Sequence, residues 1–443
     1  MICSVLMQLY KLLKNPRRPV CLFLSAALVF AVYFCVSAPD VSADKETRQS
    51  SVDSVNLREN QWVYSVYVDK NNRKYAAVTR YDGGEIDIEI PALLGGIPVK
   101  VISREAFCNG KYITSVVIPE GVTEIGKYAF CGCIGLRSVT FPGSLKSVGE
   151  GAFYGCRSLT EASFSEGLTK IGSFAFYGCI HLTGASFPST LKSIGDSAFQ
   201  GCGMLGNVSF GSALETIGDT AFMGCQSLES VDLSEVSDLG AGAFMKCHSL
   251  KKAVLGDRIP EILPDTFREC GSLETVATGS ELSKIGVSAF EGCSSLQRFS
   301  GNDSLREISS VAFKDCASLQ TAELGKKVEA IGVGAFSGCS SLSKFIVSED
   351  NETYSSVNGC LCSKDGSKLI ECPLGLKGTL KIGDNVREIG DYAATGCSDV
   401  SKCVLGDKLS SVGRAAFWDV RIFLRFPCPT ALKRSEVPPS DII

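Results

Sequence analysis

Apolar residues recur along the chain at a spacing much longer than the period of a helix or a strand. The dipeptide Ala-Phe, or a close variant, returns every 23 residues, with one step of 22 between Phe222 and Phe244. Repetition at such a period predicts a solenoid in which each repeat forms one coil. The series consists of Phe107, Phe130, Phe153, Phe176, Phe199, Phe222, Phe244, Phe267, Phe290, Phe313 and Phe336.

Within a coil, the apolar positions predict one short strand with a core-facing side. Leu136, Val139 and Phe141 point to the core, whereas Ser138 and Thr140 alternate to the opposite face. A buried apolar side chain contributes roughly 1.5–3 kcal/mol, but ordering each backbone residue costs about 1–2 kcal/mol. Because most positions of a coil are not apolar, a single coil is unstable, and the sequence predicts coils that stack through parallel β-pairing.

The whole pattern predicts a solenoid of about 13 coils, with a parallel β-sheet on the concave face, a β-rich N-terminal cap and a β-hairpin insert. After Phe336 the repeat is interrupted by a segment that contains the hairpin signal Asp365-Gly366. Two further coils follow, in which Ala394 and Phe417 occupy the position of the Phe. The predicted segments are a signal peptide at 1–43, a polar lead-in and cap at 44–100, a first repeat block at 101–345, the insert at 346–380, C-terminal repeats and cap at 381–428, and a tail at 429–443.

The first 43 residues have the pattern of an export signal. Basic residues precede an apolar run without charge from Val20 to Val36, and small residues follow it. We expect cleavage between Ala43 and Asp44, because Pro39 would obstruct the earlier site after Ala38. An uncleaved anchor helix is the alternative, since 17 apolar residues are just enough to span a bilayer. The prediction is an exported protein at the cell surface, in the periplasm or secreted, with no membrane span after cleavage.

Charge and histidine content narrow the classes of function. Without residues 1–43 the chain has 40 Lys and Arg against 47 Asp and Glu, a net charge of −7. An acidic chain without a basic run is not expected to bind nucleic acid or to be held by charge at anionic lipid. The two histidines, His181 and His248, lie in different coils, and no general base is placed beside a nucleophile. The sequence therefore predicts neither enzyme activity nor a cofactor.

Cysteine is frequent, with 21 residues, and eleven of them share one repeat position three residues after the Phe or its substitute. For these eleven we predict buried thiols that donate weak bonds to backbone carbonyls. Metal binding is the alternative, through Cys131 and Cys133 or through Cys360, Cys362 and Cys372. Neither set has C-x-x-C spacing or a nearby His, so no metal site is predicted.

Two cysteine pairs are candidates for a disulfide. Cys108 and Cys131 occupy the same position on neighbouring coils, where adjacent strands are about 5 Å apart, and are the candidate disulfide. The second choice is Cys372 with Cys360 or Cys362, across the predicted hairpin.

The repeat resembles that of the BspA-like leucine-rich repeat family, which occurs in bacteria, including treponemal spirochaetes, and in some protozoa. The resemblance rests on blocks of the form Ile-Gly-x-x-Ala-Phe-x-x-Cys-x-x-Leu, such as Ile171 to Leu182 and Ile194 to Leu205, and covers roughly residues 75–420. Single coils depart from the pattern at Leu263, Ser309, Thr266 and Ala394. The resemblance implies attachment to host matrix proteins, to cells or to other bacteria.

Side chains that point outward from the strands form the candidate binding surface, because solenoid faces often bind ligands. Few of them are aromatic, so weak and multivalent contact is expected. The candidate residues are Ser115, Ser138, Thr140, Glu161, Ser163, Ser186, Asn207, Ser209, Ser230, Asp232, Lys252, Arg298, Glu323 and Lys344.

The predicted function is an exported protein-binding scaffold, an adhesin or attachment protein. Its predicted partners are a host matrix or cell-surface protein, a bacterial surface partner, or a second copy of the chain. The alternative is a structural or self-assembling periplasmic protein without a host ligand.

Overall fold

The structure is a computed structural model that describes residues 54–420 and 423–424. The predicted signal peptide, its cleavage site at Ala43 and Asp44, and the predicted tail lie outside the described residues. Strands joined by turns make up the described part of the chain, and no helix occurs within it. The strands are numbered β1 to β35 in chain order.

The described chain is a parallel β-solenoid, which confirms the predicted fold class. It has about 15 turns of about 23 residues, more than the 13 expected. Each turn contributes one strand to the side that we call the strand face. The strands of this face are β4 (Asp87–Glu89), β7 (Ser115–Val117), β9 (Ser138–Thr140), β11 (Glu161–Ser163), β13 (Gly184–Ser186), β15 (Asn207–Ser209), β17 (Ser230–Leu233), β19 (Lys252–Leu255), β21 (Thr275–Ala277), β23 (Arg298–Ser300), β25 (Thr321–Leu324), β27 (Lys344–Val347), β31 (Gly378–Lys381), β33 (Val400–Val404) and β35 (Phe423–Leu424).

Most turns also contribute a two-residue strand to a second set of parallel strands, which is divided into three sheets by breaks after β18 and after β26. In each of these strands, the second residue is apolar and points to the core. The strands are β8 (Glu124–Ile125), β10 (Ser147–Val148), β12 (Lys170–Ile171), β14 (Ser193–Ile194), β16 (Thr216–Ile217), β18 (Asp238–Leu239), β20 (Glu261–Ile262), β22 (Lys284–Ile285), β24 (Glu307–Ile308), β26 (Ala330–Ile331), β32 (Glu388–Ile389) and β34 (Ser411–Val412).

Antiparallel strands cover the first turn. β1 (Ser54–Glu59), β2 (Trp62–Val68) and β3 (Lys74–Tyr81) form a meander, and β3 pairs in parallel with β6 (Ile97–Ile102), which β5 (Leu93–Leu94) flanks. The ring of Trp62 contacts that of Phe107 at a centroid distance of 6.2 Å. The meander therefore covers the first ring of the repeat series.

Stacked phenylalanine rings form the centre of the core. From Phe107 to Phe336, successive rings lie 4.8–5.7 Å apart between centroids and within 11° of parallel. Backbone bonds follow the same ladder, as in the donation from Phe130 N to Ala152 O at 2.7 Å. The 23-residue spacing thus places each ring on the preceding one, at a distance typical of attractive aromatic pairs.

Two backbone features repeat in most turns. The Gly that follows the Ile permits close approach between turns, because a Cβ on Gly126 would lie 2.8 Å from the backbone N of Arg104. The position two residues before the Phe has a left-handed backbone, and both Gly334 (φ 65°) and Val311 (φ 51°) occupy it. A β-branched residue is strained in that conformation, whereas Gly is not.

The insert is partly a turn of the solenoid. β28 (Tyr354–Val357) pairs with β29 (Cys360–Ser363), and β29 pairs with β30 (Lys368–Glu371) across the Asp365-Gly366 turn. β30 also pairs in parallel with β32. Cys372 N donates to Ala393 O at 2.6 Å, which is the ladder bond that a Phe makes in other turns. The structure thus has two turns more than the 13 expected. In one of them Cys372 occupies the position of the Phe, and the other begins with β4.

A buried amide joins the insert to the last turn of the first block. Asn351 is fully buried, and its Nδ2 donates to the carbonyl oxygens of Gly325 and Val328, at 2.9 Å each. Its Oδ1 accepts from the backbone N atoms of Thr353 and Tyr354, at 2.9 and 2.7 Å. The amide satisfies four backbone groups where the repeat pattern stops. The described residues form two separate hydrophobic cores, and the first extends past Asn351 to Leu361.

Candidate functional site

The strand face presents straight rows of outward side chains. Its strands pair in register within groups of three, so Ser138 lies beside Ser115 and Thr140 beside Val117 on the neighbouring turn. The residue between them on each strand points to the core, and Val116 and Ala162 are buried there. Alternation along each strand and repetition between turns together produce two parallel rows of side chains.

The structure places all fourteen predicted binding residues in these two rows. Twelve are exposed, and Ser115 and Glu323 are half-buried. Both half-buried residues have a hydrogen-bond partner on the neighbouring turn. Ser115 Oγ donates to Asp87 Oδ1 at 2.5 Å, and Glu323 Oε2 accepts from Ser300 Oγ at 2.8 Å. The bond from Ser115 lowers the pKa of Asp87, so that this carboxylate remains ionised at the edge of the face.

Positive charges on the strand face lie in its second half. Lys252 on β19 lies beside Thr275 on β21, and Thr321 on β25 lies between Arg298 on β23 and Lys344 on β27. Strands β21 and β23 do not pair, so the row is interrupted between Thr275 and Arg298. One turn lies between Arg298 and Lys344, which places them about 10 Å apart. Among residues 54–420, no ion pair that the structure records involves any of the three. Their charges are therefore available to a partner.

The cysteine position of the repeat confirms the prediction of buried thiols. Ten of the eleven thiols donate to the carbonyl oxygen of the Phe in the preceding turn, at 3.1–3.3 Å, and all ten are fully buried. The eleventh, Cys397, contacts Pro373 O at 3.8 Å. Burial raises the pKa of Cys202 and of Cys270 to about 12, so these thiols are not nucleophiles at neutral pH.

The thiols of Cys108 and Cys131, the candidate disulfide, lie close together on the first two turns. Cys131 is buried and Cys108 is half-buried. The contact with Cys131 lowers the pKa of the Cys108 thiol, against the effect of burial. The disulfide between them stays a prediction.

The sequence did not reveal a cleft at the joint between the repeat blocks. The cleft has a volume of about 410 Å³ and is lined by polar and apolar groups in similar measure, and the ion pair between Lys377 Nζ and Asp399 Oδ2, at 3.8 Å, lies in its wall. It forms where β27 and β31 do not pair, so a break in the 23-residue spacing was its one signal. The lining residues are Ser340, Ser341, Ser343, Gly375, Leu376, Lys377 and Asp399.

Side chains that could perform chemistry are dispersed. His181 and His248 are exposed in separate turns, and His181 Nδ1 contacts Arg157 O at 2.8 Å. Within the described residues, no three His, Cys, Asp or Glu side chains are grouped so that they could hold a metal ion. Over the same residues, no helix is long and apolar enough to cross a membrane.

Comparison with known protein families shows that the chain matches one of them. The family described as the BspA type leucine-rich repeat region, with six copies, matches residues 100–229, 169–297, 260–360 and 376–434. No curated protein sequence matches the chain.

Three solved structures resemble the chain. A leucine-rich cell surface protein from Faecalibacterium prausnitzii is 24% identical, over 83% of this chain and 94% of that one, with a TM-score of 0.48. A leucine-rich repeat protein from Bacteroides ovatus is 26% identical, over 66% and 94%, with a TM-score of 0.38. The leucine-rich repeat protein of T. pallidum is 24% identical, over 54% and 90%, with a TM-score of 0.31.

Proposed function

Because the chain belongs to the family of BspA-type leucine-rich repeat proteins, we propose that it is an exported scaffold that binds protein ligands through its strand face. The ligand is a host matrix or cell-surface protein, or a surface protein of another bacterium, so the role of the molecule is adhesion. Export is supported by the signal pattern that ends at Ala43, and binding by the geometry of the strand face.

Ordered exposure of the strand face is the observation that carries the proposal. Hydroxyl, carboxylate and cationic side chains alternate with buried ones along the face, and parallel pairing within groups of three strands fixes the backbone below them. A partner that contacts one turn finds equivalent positions on the next, about 5 Å away. Such a surface supports many similar contacts at little cost in ordering.

Composition of the face sets the expected strength of binding. Aromatic side chains, which dominate tight interfaces, are few in its rows. Single sites therefore bind weakly, with dissociation constants in the micromolar range or above, and clustering of many copies on a cell supplies avidity. The cations Lys252, Arg298 and Lys344 favour an acidic patch on the partner.

The proposal is tested by measuring binding of the purified chain to immobilised matrix proteins and to host cells. The variant Lys252→Ser, Arg298→Ser, Lys344→Ser removes the three cations of the face. We expect binding to weaken at least tenfold and to lose most of its dependence on salt. The matched control is Lys146→Ser, Lys170→Ser, Lys192→Ser, which makes the same charge change at exposed positions away from the strand face.

Absence of binding to every matrix protein and cell type tested would contradict the proposal. An equal loss of affinity in both triple variants would show that binding does not depend on the strand face. Protease treatment of intact cells tests the location independently. Digestion of the chain is expected, because an adhesin is exposed to the medium. Full protection would favour the periplasmic structural alternative.

A further inference from the structure

A pair of cysteines at the joint between the repeat blocks differs from the thiols of the repeat. We propose that Cys360 and Cys372 form a disulfide that closes the β29–β30 hairpin at the joint between the two repeat blocks. Their Sγ atoms are 3.6 Å apart, and both residues are buried in the second hydrophobic core. Cys360 begins β29, and Cys372 directly follows β30, the antiparallel partner of β29.

The thiols of the repeat show why this pair is distinct. Each of the ten fully buried thiols described above donates to a backbone carbonyl of the preceding turn, so its S–H is directed at oxygen. Cys360 and Cys372 instead have each other as the recorded partner. A disulfide places sulfur atoms about 2.05 Å apart, so the two atoms must approach by roughly 1.5 Å. Side-chain rotation in a pair already in contact supplies a movement of that size.

Backbone bonds on both sides of the pair reach both repeat blocks. Gly359 O, next to Cys360, accepts from Phe345 N of the first block at 2.9 Å. Cys372 N donates to Ala393 O of the second block, and Gly375 N donates to Leu342 O of the first at 2.8 Å. A covalent bond between the two cysteines therefore fixes the segment in which the rows of strands are interrupted, beside the cleft.

The reaction is thiol–disulfide exchange with a small or protein disulfide as the oxidant. One cysteine thiolate attacks the oxidant and forms a mixed disulfide, with release of one thiol. The other cysteine then attacks the mixed disulfide and releases the second thiol, so two electrons and two protons pass to the oxidant. Contact with Cys360, together with burial, raises the pKa of Cys372, so the exchange takes place while the segment folds or opens.

Peptide mapping of the full chain tests the proposal. The chain is refolded in a buffer of reduced and oxidised glutathione, its free thiols are alkylated, and it is digested with trypsin without reduction. Cleavage after Lys364 and Lys368 separates the two cysteines. We expect peptide 345–364, alkylated once at Cys362, joined to peptide 369–377, with a mass lower by two hydrogens than the sum of that alkylated peptide and the free second peptide. Reduction before alkylation should remove the joined species.

Matched variants identify the sulfur that reacts, since Cys360 and Cys362 share one tryptic peptide. Cys362→Ser should retain the joined species, and Cys360→Ser should abolish it. Retention in Cys360→Ser, or complete alkylation of Cys360 and Cys372 in the refolded wild-type chain, would overturn the proposal. Zinc bound at one ion per chain in place of the bond, detected by elemental analysis without chelator, would overturn it as well. The wild-type map decides the question even if a variant fails to fold.

Discussion

The two repeat blocks have the same backbone but different cores. In the first block, turns keyed on Phe107 to Phe336 are filled by one unbroken stack of rings. In the second block, Cys372 and Ala394 hold the position of the Phe, and only Phe417 restores it. The ladder bond nevertheless persists, with 2.8 Å from Ala394 N to Ala416 O.

This difference shows that the features that form a turn are not the same as the features that stabilise it. Parallel pairing and the close approach of glycines produce the turn in both blocks, with or without a ring. The ring adds buried area and aromatic contact. Cysteines replace it in the second block, where Cys360, Cys362 and Cys403 join Cys372 and Cys397 in the core. Small side chains bury less area per turn, so the second block should be the less stable of the two.

Removal of one ring should give the largest effect. Phe222 is fully buried, and its ring contacts those of Phe199 at 5.3 Å and Phe244 at 5.4 Å, with the edge-on ring of Phe210 at 5.7 Å. Phe222→Ala should lower the free energy of unfolding by about 3–5 kcal/mol, since it removes apolar area and leaves a cavity. Urea unfolding, followed by tryptophan fluorescence, measures the loss.

Phe417→Ala is the comparison variant in the second block. Phe417 is half-buried, so the expected loss is below about 2 kcal/mol. The chain has two tryptophans, Trp62 in the cap and Trp418 in the second block, so variants that retain only one of them report on each block separately. Equal losses at Phe222 and Phe417 would contradict the view that ring stacking distinguishes the blocks.

A carboxyl group in the second block should make its stability depend on pH. Burial raises the pKa of Glu371 to about 7, and no charged partner opposes the shift. The folded chain therefore holds this proton more tightly than the unfolded chain. Stability is greatest below the unfolded pKa of about 4.5, falls as the pH rises to about 7, and is then constant. At pH 8, Glu371→Gln should stabilise the second block by roughly 2 kcal/mol.

The difference between wild type and Glu371→Gln, measured through Trp418 from pH 4 to pH 8, isolates this group from other carboxylates. Glu352→Gln, at an exposed position of the insert, is the matched control for the change of charge. If the difference in stability between the two chains is constant across that pH range, Glu371 has the same pKa in the folded and unfolded chain, and the prediction is wrong. A dependence seen through Trp62 instead would place its cause in the first block.

The sequence predicted the part of the fold that repeats. Phe at fixed spacing and alternation such as Ser138-Val139-Thr140 specify the inward and outward faces, because a coil is stable only against identical neighbours. It failed at the turn keyed on Cys372, where neither Gly nor Ala-Phe is present and pairing with β32 decides the structure. Long-range pairing of that kind leaves no local pattern to detect.

The candidate site divides in the same way. The rows of the strand face follow from alternation, so its residues were predictable. The cleft beside Lys377 and the contact between Cys360 and Cys372 depend on how an irregular segment folds back, so they were not. Burial of Asn351 is similar, since an Asn in a polar stretch gives no sign that it bonds to Gly325 and Val328.

The smallest predicted effect concerns what the two blocks share. Val311 in the first block and Ala415 in the second both have a left-handed backbone, with φ of 51° and 49°. Val311→Gly should raise the free energy of unfolding by about 0.5–1 kcal/mol, because relief of strain at a β-branched residue exceeds the entropy cost of Gly. Ala415→Gly should gain less, since Ala is less strained there. Val333→Gly, at an exposed position with an ordinary backbone, should destabilise the chain in the same urea assay. A loss of stability at both Val311 and Ala415 would mean that side-chain contacts, and not backbone strain, set the energy of this position in the two blocks.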